Sequence, residues 1–151
     1  MPTITDKLIA RKEDGIGWVI FNNPEKRNAM SMDMTRAMGE TLEDYSHDPA
    51  VRVVILKGAG DKSFVSGADI SEFKERRSSA EASEIYNAAS NRAAKALYEC
   101  PKPTIAMIRG YCMGGGMGTA VACDLRFASD DSRFGVPAAK LGVGYRYERL
   151  K

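Results

Sequence analysis

The fold is decided by one stretch of sequence, residues 104–118, which is TIAMIRGYCMGGGMG. Its first part, Thr104 to Ile108, is a short apolar run, which is typical of a buried strand. The glycines from Gly114 to Gly118 follow and open a predicted helix. The stretch therefore predicts a strand, a glycine-rich connection and a helix in direct succession.

The same alternation of strand and helix extends upstream of this stretch. The patterns predict, in order, a hairpin over residues 7–22, a helix over residues 31–45, a buried strand over residues 51–56 and a second helix over residues 78–100. Ser31 is the expected N-cap of the first helix, and Ser78 and Glu81 have the spacing of a capping box in the second. Strands that alternate with helices predict an α/β fold with parallel crossovers.

Composition and charge limit the classes of function. The chain has 151 residues, of which 44% are hydrophobic and 28% charged, as in an ordinary single-domain globular protein. Its net charge of +2 is too small for a surface built to bind a nucleic-acid backbone. No apolar run reaches the roughly 18 residues of a membrane span. We expect one domain over residues 1–151, without a nucleic-acid or membrane partner.

Cysteine and histidine usage argues against metal and disulfide chemistry. Cys100, Cys112 and Cys123 are odd in number and lack CxxC spacing, which disfavours a disulfide framework or a zinc site. The single histidine, His47, lies in a predicted turn before a proline, where a surface position is more common than a catalytic one. With no secretory signal in the first residues, we expect a cytoplasmic protein with reduced thiols and no metal.

Two segments are candidates for the functional site. Residues 63–70 (SFVSGADI) and 109–118 (RGYCMGGGMG) each follow a predicted buried strand, at the carboxyl ends where α/β sheets bind ligands. Backbone N–H groups at a glycine-rich helix start can face an anion, or an oxygen that becomes one. The alternative is that these glycines only allow close packing of helix on strand. The spacing excludes a P-loop and does not match GxGxxG, and a GxSxG elbow is absent.

Five short motifs, in order along the chain, resemble the crotonase (enoyl-CoA hydratase/isomerase) superfamily. They are Asn22 to Met30 (NNPEKRNAM), Ser66 to Ile70 (SGADI), Gly110 to Gly116 (GYCMGGG), Ala122 to Arg126 (ACDLR) and Phe134 to Pro137 (FGVP). Several motifs in register are far more specific than any one of them. The resemblance implies a ββα spiral core, and it corresponds to the N-terminal portion of the family. It also implies that residues 1–151 are one crotonase-like core domain, incomplete before the C-terminal helical region.

The resemblance implies a role for particular residues. It places an oxyanion hole for the thioester oxygen of an acyl-CoA at the backbone N–H groups of Ala68 and Gly115. Two preorganised donors in a dry site stabilise an enolate, and one such donor is worth about 3–4 kcal/mol.

By the same resemblance, further residues would bind the substrate. Lys26, Arg27 and Ala29 would lie by the nucleotide end of coenzyme A, and Asp69, Ile70 and Ser71 would line its site. For Lys26 and Arg27, a fully solvated loop is the alternative. Coenzyme A would be part of the substrate, and no other cofactor is implied.

The sequence departs from the family's hydratases at two positions. Those enzymes use two glutamates as general acid and base, and the corresponding positions here carry Gly118 and Ala138. Neither residue can transfer a proton, which argues against simple hydratase chemistry and leaves the exact reaction unassigned. Asp69 and Asp124 are the nearest carboxylates in sequence, and we expect structural roles for both. Tyr145 is a further candidate acid.

Three functional hypotheses follow from the sequence. The leading one is an acyl-CoA-processing enzyme, a lyase or isomerase type that stabilises an enolate in its oxyanion hole. The alternative is a non-catalytic acyl-CoA-binding or assembly subunit that kept the fold and lost the carboxylates. The third is a truncated chain that neither binds nor reacts and is stable only in association with other chains. The family resemblance also implies a homo-oligomer, either a trimer or a hexamer.

Overall fold

The computed structural model describes residues 5–72, 78–142 and 144, which form two β-sheets and the helices between their strands. In chain order the elements are β1 (Leu8–Glu13), β2 (Ile16–Phe21), α1 (Met32–His47), β3 (Val53–Gly58), β4 (Ser63–Val65), α2 (Ala80–Tyr98), β5 (Thr104–Ile108), β6 (Tyr111–Met113), α3 (Gly115–Ala122), β7 (Leu125–Ala128) and β8 (Arg133–Gly135). Short 3-10 turns lie at Pro24–Lys26, Ile70–Glu72 and Pro137–Leu141.

The larger sheet has the strand order β1-β2-β3-β5-β7. β1 and β2 form the predicted antiparallel hairpin, which turns at Asp14 and Gly15, both with positive φ. β2, β3, β5 and β7 are parallel to one another. The predicted α/β class with parallel crossovers is confirmed. β3 begins two residues later than predicted, and its residues alternate between half-buried and buried.

Helix α1 packs its apolar stripe into the core, as its spacing predicts. Ser31 caps the helix, because its hydroxyl accepts a hydrogen bond from Met34 N at 3.2 Å. Met34, Leu42 and Tyr45 are almost completely buried. At Gly39, α1 approaches α2 so closely that an added Cβ would lie 3.3 Å from Ala93 Cα. The methionines of this stripe therefore serve packing.

Helix α2 differs from its prediction in two respects. Its N-cap is Ser79, whose hydroxyl accepts from Ala82 N at 3.0 Å, and not Ser78. Ser79 has the extended backbone that an N-cap requires, and the helix begins one residue after it. Only Ala93 and Leu97 of its apolar face are buried, whereas Ile85 is 46% exposed. The second half of α2 alone therefore packs in the core.

The smaller sheet, with strand order β4-β6-β8, was not predicted from the sequence. Its strands have three residues each and are parallel. Gly110, with φ +70°, lets the chain leave β5 and enter β6, because a Cβ at this position would overlap the carbonyl group of Lys62. The chain thus passes from the larger to the smaller sheet within a few residues.

Candidate active site

The carboxyl ends of the smaller sheet bring together three segments that are far apart in sequence. Ser66–Ile70 follows β4, Gly114–Gly118 follows β6, and Val136–Ala138 follows β8. Val65 is paired with Cys112 in the parallel ladder, so the first two segments leave the same edge side by side. Both candidate segments of the sequence analysis therefore meet at one place.

Ala68 lies in a backbone arrangement in which its N–H group is bonded to none of the described residues. The residues on either side are bonded to Met30: Met30 N donates to Gly67 O at 2.8 Å, and Asp69 N donates to Met30 O at 2.9 Å. In such a parallel bridge, the N–H of the middle residue points away from the partner strand. Within residues 5–72, 78–142 and 144, Ala68 N has no hydrogen-bond acceptor, and the residue is exposed.

Gly115 begins α3, and the first N–H groups of an α-helix have no acceptor within the helix. Gly114 precedes it with φ +52°, and its own N–H donates to Gly135 O at 2.8 Å. A Cβ at Gly114 would lie 3.7 Å from Gly67 Cα, so the residues directly before the two predicted donors are neighbours. A Cβ at Gly116 would overlap the carbonyl group of Val65, which shows how tightly α3 is seated on β4.

The close packing considered in the sequence analysis accounts for one glycine of this segment but not for all of them. Gly116 permits close packing of helix on strand. Gly115, in contrast, has nothing within 4 Å of an added Cβ and borders open space. The geometry suits a role as an oxyanion donor, which stays a prediction.

Lys26, Asp69 and Ser71 form a hydrogen-bonded cluster beside Ala68. Lys26 Nζ donates to Asp69 Oδ2 and to Ser71 Oγ, both at 2.9 Å. Asp69 Oδ1 accepts from Ser71 Oγ at 2.6 Å and from Ser71 N at 3.0 Å. The Asp69 side chain is only 5% exposed, whereas that of Lys26 is 48% exposed. Both oxygens of this buried carboxylate therefore accept hydrogen bonds.

This cluster sets the ionisation of Asp69. Burial acts to raise the pKa of the carboxyl, but the hydrogen bonds from Ser71 and Lys26 and the lysine charge outweigh it and lower the pKa to about 2. Asp69 is therefore a carboxylate at neutral pH and a poor proton donor. The expected structural role of Asp69 agrees with this arrangement.

The remaining predicted substrate-binding residues lie in the segment before α1 and in the turn that follows Ala68. The Arg27 guanidinium lies over the ring of Tyr111, 5.0 Å from its centroid. Ala29 is buried, and Ile70 is 71% exposed. Arg27 and Lys26 are both exposed, but each is held by a specific neighbour rather than solvated on all sides.

The two positions to which the resemblance assigns the hydratase glutamates, Gly118 and Ala138, lie in the segments that follow β6 and β8. Gly118 is exposed one turn after Gly115 on the same face of α3, and an added Cβ would meet nothing within 4 Å. Ala138 lies half-buried in the turn after β8. Neither residue can donate or accept a proton through its side chain.

Asp124 and His47 do not supply an acid at this place. Asp124 accepts from Thr104 N and Oγ1 at 2.8 and 2.9 Å and so joins the start of β5 to that of β7. His47 is an exposed residue at the end of α1, with Nδ1 2.7 Å from Glu43 O. Tyr145 lies outside the described residues.

Sequence reasoning missed two residues that hold the site in place. Asn28 is 1% exposed, has φ +56° and donates to Ala59 O at 3.0 Å and Ser63 O at 2.7 Å. Glu72 accepts from Met32 N at 2.9 Å. Their partners are more than thirty residues away in sequence, and no local spacing signals such contacts.

The described part of the chain offers no metal site and no membrane helix. No group of three or more histidine, cysteine or acidic side chains in residues 5–72, 78–142 and 144 is arranged to hold a metal ion. The helices of the same residues are too short or too polar to cross a bilayer. The three cysteines are free, and burial raises the pKa of Cys112 to about 11, so its thiol is protonated.

The described residues form an α/β core in which two glycine-containing segments meet at the carboxyl edge of a small parallel sheet. Residues 11–145 match the enoyl-CoA hydratase/isomerase family model. The chain belongs to this family, and the expected superfamily and fold are confirmed.

Relatives of known sequence and structure agree with this assignment. The chain is 43% identical over 134 residues to hydroxycinnamoyl-CoA hydratase-lyase of Pseudomonas fluorescens, covering 87% of this chain and 48% of that protein. It is 38% identical to short-chain-enoyl-CoA hydratase of Clostridium acetobutylicum, covering 91% and 52%. A crystal structure of an enoyl-CoA hydratase/carnithine racemase from Magnetospirillum magneticum superimposes with a TM-score of 0.91 at 39% identity, covering 97% and 55%. The chain spans about half the length of these relatives.

Proposed function

We propose that the protein processes acyl-CoA thioesters and stabilises an enolate with the N–H groups of Ala68 and Gly115. The observation that carries this proposal is the unused N–H of Ala68 beside the helix start at Gly115. A thioester oxygen that gains negative charge would accept from both donors, and fixed donors stabilise such charge more than water does. The names of the relatives support coenzyme A thioesters as the substrate class.

The proposed reaction needs little acid–base help from the protein. Because Gly118 and Ala138 lack proton-transfer groups, we favour decarboxylation of the acyl group or proton transfer by the substrate itself. Lys26 and Arg27 are exposed cations near the loop of Ala68, and we assign them to the phosphates of coenzyme A. Ile70, which is exposed beside them, would contact an apolar part of the substrate.

The experiment that tests this proposal is incubation of the purified protein with crotonyl-CoA in deuterated water. Mass spectrometry of the recovered thioester would show a mass gain from added water or from deuterium bound to carbon, and either result supports enolate or hydratase chemistry. An unchanged thioester that still binds would move the assignment to another acyl-CoA reaction or to a binder. Absence of binding to crotonyl-CoA and to acetyl-CoA would contradict the proposal.

A paired variant tests the role of the two missing carboxylates. Gly118→Glu together with Ala138→Glu should raise the rate of water addition to crotonyl-CoA. Position 118 can hold the longer side chain because an added Cβ meets open space. Gly118→Gln with Ala138→Gln is the matched control, which adds the same bulk without a general acid or base. An equal rate in both double variants would contradict this explanation.

A second candidate function is an acyl-CoA-binding or assembly subunit without turnover. Two observations favour it. Gly118 and Ala138 carry no acidic side chain, and on β7 Leu125 is 50% exposed and Phe127 is 60% exposed. Apolar side chains grouped on an edge strand favour association. Thioester binding without turnover, in an oligomer seen by analytical ultracentrifugation, would support this function. The trimer or hexamer and the cytoplasmic location stay predictions.

A further inference from the structure

We propose that Asp69, held by Lys26, is a positioning residue that directs the N–H of Ala68 into the site. This inference rests on the proposed function and concerns the same site. It assigns a role to the Lys26–Asp69 ion pair, whose two residues are separated by 43 positions in sequence.

The backbone on both sides of Ala68 is fixed by hydrogen bonds to Met30. Asp69 N and Gly67 O are both bonded to Met30, and these two bonds determine the plane of each adjoining peptide group. The orientation of the Ala68 N–H follows from the same peptide planes. Any rotation of the loop at Asp69 would therefore turn this donor.

The Asp69 side chain prevents that rotation. Its two carboxylate oxygens are bonded in different directions, Oδ1 to Ser71 N and Oγ and Oδ2 to Lys26 Nζ. The loop is thereby tied both to its own next turn and to the segment that precedes α1. Ser66 adds a second tie, because its hydroxyl donates to Lys26 O at 3.2 Å.

The burial of the Asp69 side chain explains why a charged lysine partner is needed here. Asp69 is 5% exposed, so an unpaired charge would be costly, and the carboxylate is held to its donors. Because charge-assisted hydrogen bonds are stronger and shorter than neutral ones, an amide would hold the loop less firmly. The low pKa of about 2 shows that the ionised form is the one that the fold stabilises.

The chain supplies a close structural control on its surface. Asp48 accepts from Ala50 N at 2.8 Å and from Lys12 Nζ at 2.5 Å, which repeats the bonds of Asp69 to a backbone N–H two residues later and to a distant lysine. Asp48 follows α1 and belongs to no part of the candidate site. Asp48→Asn removes the same type of charge without touching the proposed donor.

The test is isotope-edited infrared spectroscopy of crotonyl-CoA labelled with ¹³C at the thioester carbonyl and bound to the purified protein. Polarisation by the two donors lowers the carbonyl stretching frequency. We expect Asp69→Asn and Lys26→Met to lose a large part of this frequency shift. If the Ala68 N–H is misdirected by about 1 Å, the kcat for deuterium incorporation into the thioester should also fall by about 10- to 100-fold. Asp48→Asn, which lies outside the candidate site, should retain the wild-type shift.

Each outcome decides between explanations. A folded Asp69→Asn variant with the full carbonyl shift would overturn this inference and leave the proposed function intact. If Asp69→Asn does not fold, Lys26→Met gives the same decision when the spectrum is recorded at saturating crotonyl-CoA, because this variant removes the ion pair and leaves the bonds between Asp69 and Ser71. No shift with the wild-type protein would overturn the proposed function and this inference together.

Discussion

Replacement of Ala68 by proline removes one backbone donor and no other hydrogen bond of the described residues. Ala68 N has no acceptor there, and the bonds that hold this loop to Met30 use Gly67 O and Asp69 N instead. The preceding residue is Gly67 with φ +113°, outside the right-handed helical region that a following proline disfavours. We therefore expect the Ala68→Pro protein to fold, with a free energy of unfolding within about 1 kcal/mol of wild type.

The expected effect on the reaction is large. Loss of one oxyanion donor costs about 3–4 kcal/mol of transition-state stabilisation, which lowers kcat about 100- to 1000-fold. The affinity for the ground-state thioester should change much less, because the donor is strongest when the oxygen carries negative charge.

The assay is the rate of deuterium incorporation into an acyl-CoA, together with the Kd of the thioester and the urea midpoint of the variant. Ala68→Ser is the matched control, since it changes the exposed side chain and keeps the N–H. A folded Ala68→Pro protein that binds the thioester and exchanges at the wild-type rate would refute the assignment of this donor.

Three further predictions concern stability. Gly116→Ala should lower the free energy of unfolding by about 2 kcal/mol or more, because the added methyl overlaps the carbonyl group of Val65, whereas Gly118→Ala, which meets open space, should raise it by about 0.5–1 kcal/mol. Urea titration of both variants checks the contrast, and equal effects would show that α3 is not seated on β4. Asn28→Ala should destabilise by about 2–4 kcal/mol, since it removes buried hydrogen bonds at φ +56°, and Asn28→Gly should be less harmful because glycine tolerates this φ. Thermal melts that rank glycine below alanine would contradict the backbone part of this argument. The pKa of Asp69 is lowered from 3.8 to about 2 in the folded protein, so its ionisation stabilises the fold by about 2 kcal/mol above pH 4 and this contribution is lost as the pH falls from about 4 to about 2. The difference in unfolding free energy between wild type and Asp69→Asn should therefore shrink between pH 5 and pH 3, and a constant difference would show that the ionised carboxylate contributes nothing.

Local sequence patterns predicted those elements whose stability depends on their own residues. The stripe of Met34 and Leu42 identified α1, and Ser31 was recognised as its cap, because helix periodicity and capping involve residues three or four apart. The parallel strands β2, β3 and β5 were visible as apolar runs, whereas β7, whose four residues are all exposed, was not predicted. In α2 the same method placed the cap one residue early, at Ser78 instead of Ser79, since two serines in succession offer the same chemistry.

The location of the candidate site was also accessible from sequence. Ligands bind beyond the carboxyl ends of parallel strands, and the segments with Ala68 and Gly115 both follow apolar runs. The motif resemblance named the same residues. The hydrogen bonds that hold the loop of Ala68 could not be predicted, because no local sequence pattern indicates that Lys26 pairs with Asp69.

The amino-acid sequence by itself determined the α/β class, the hairpin, the helix faces and the glycines that surround the candidate donors, because each depends on residues that are close together in the chain. Only the tertiary structure decided the second sheet, whose three-residue strands are held by neighbours from distant segments. It also decided the contacts of Asn28 and the ion pair of Lys26 with Asp69. Such contacts exist only after long loops have closed, and their energy depends on burial that no local pattern records.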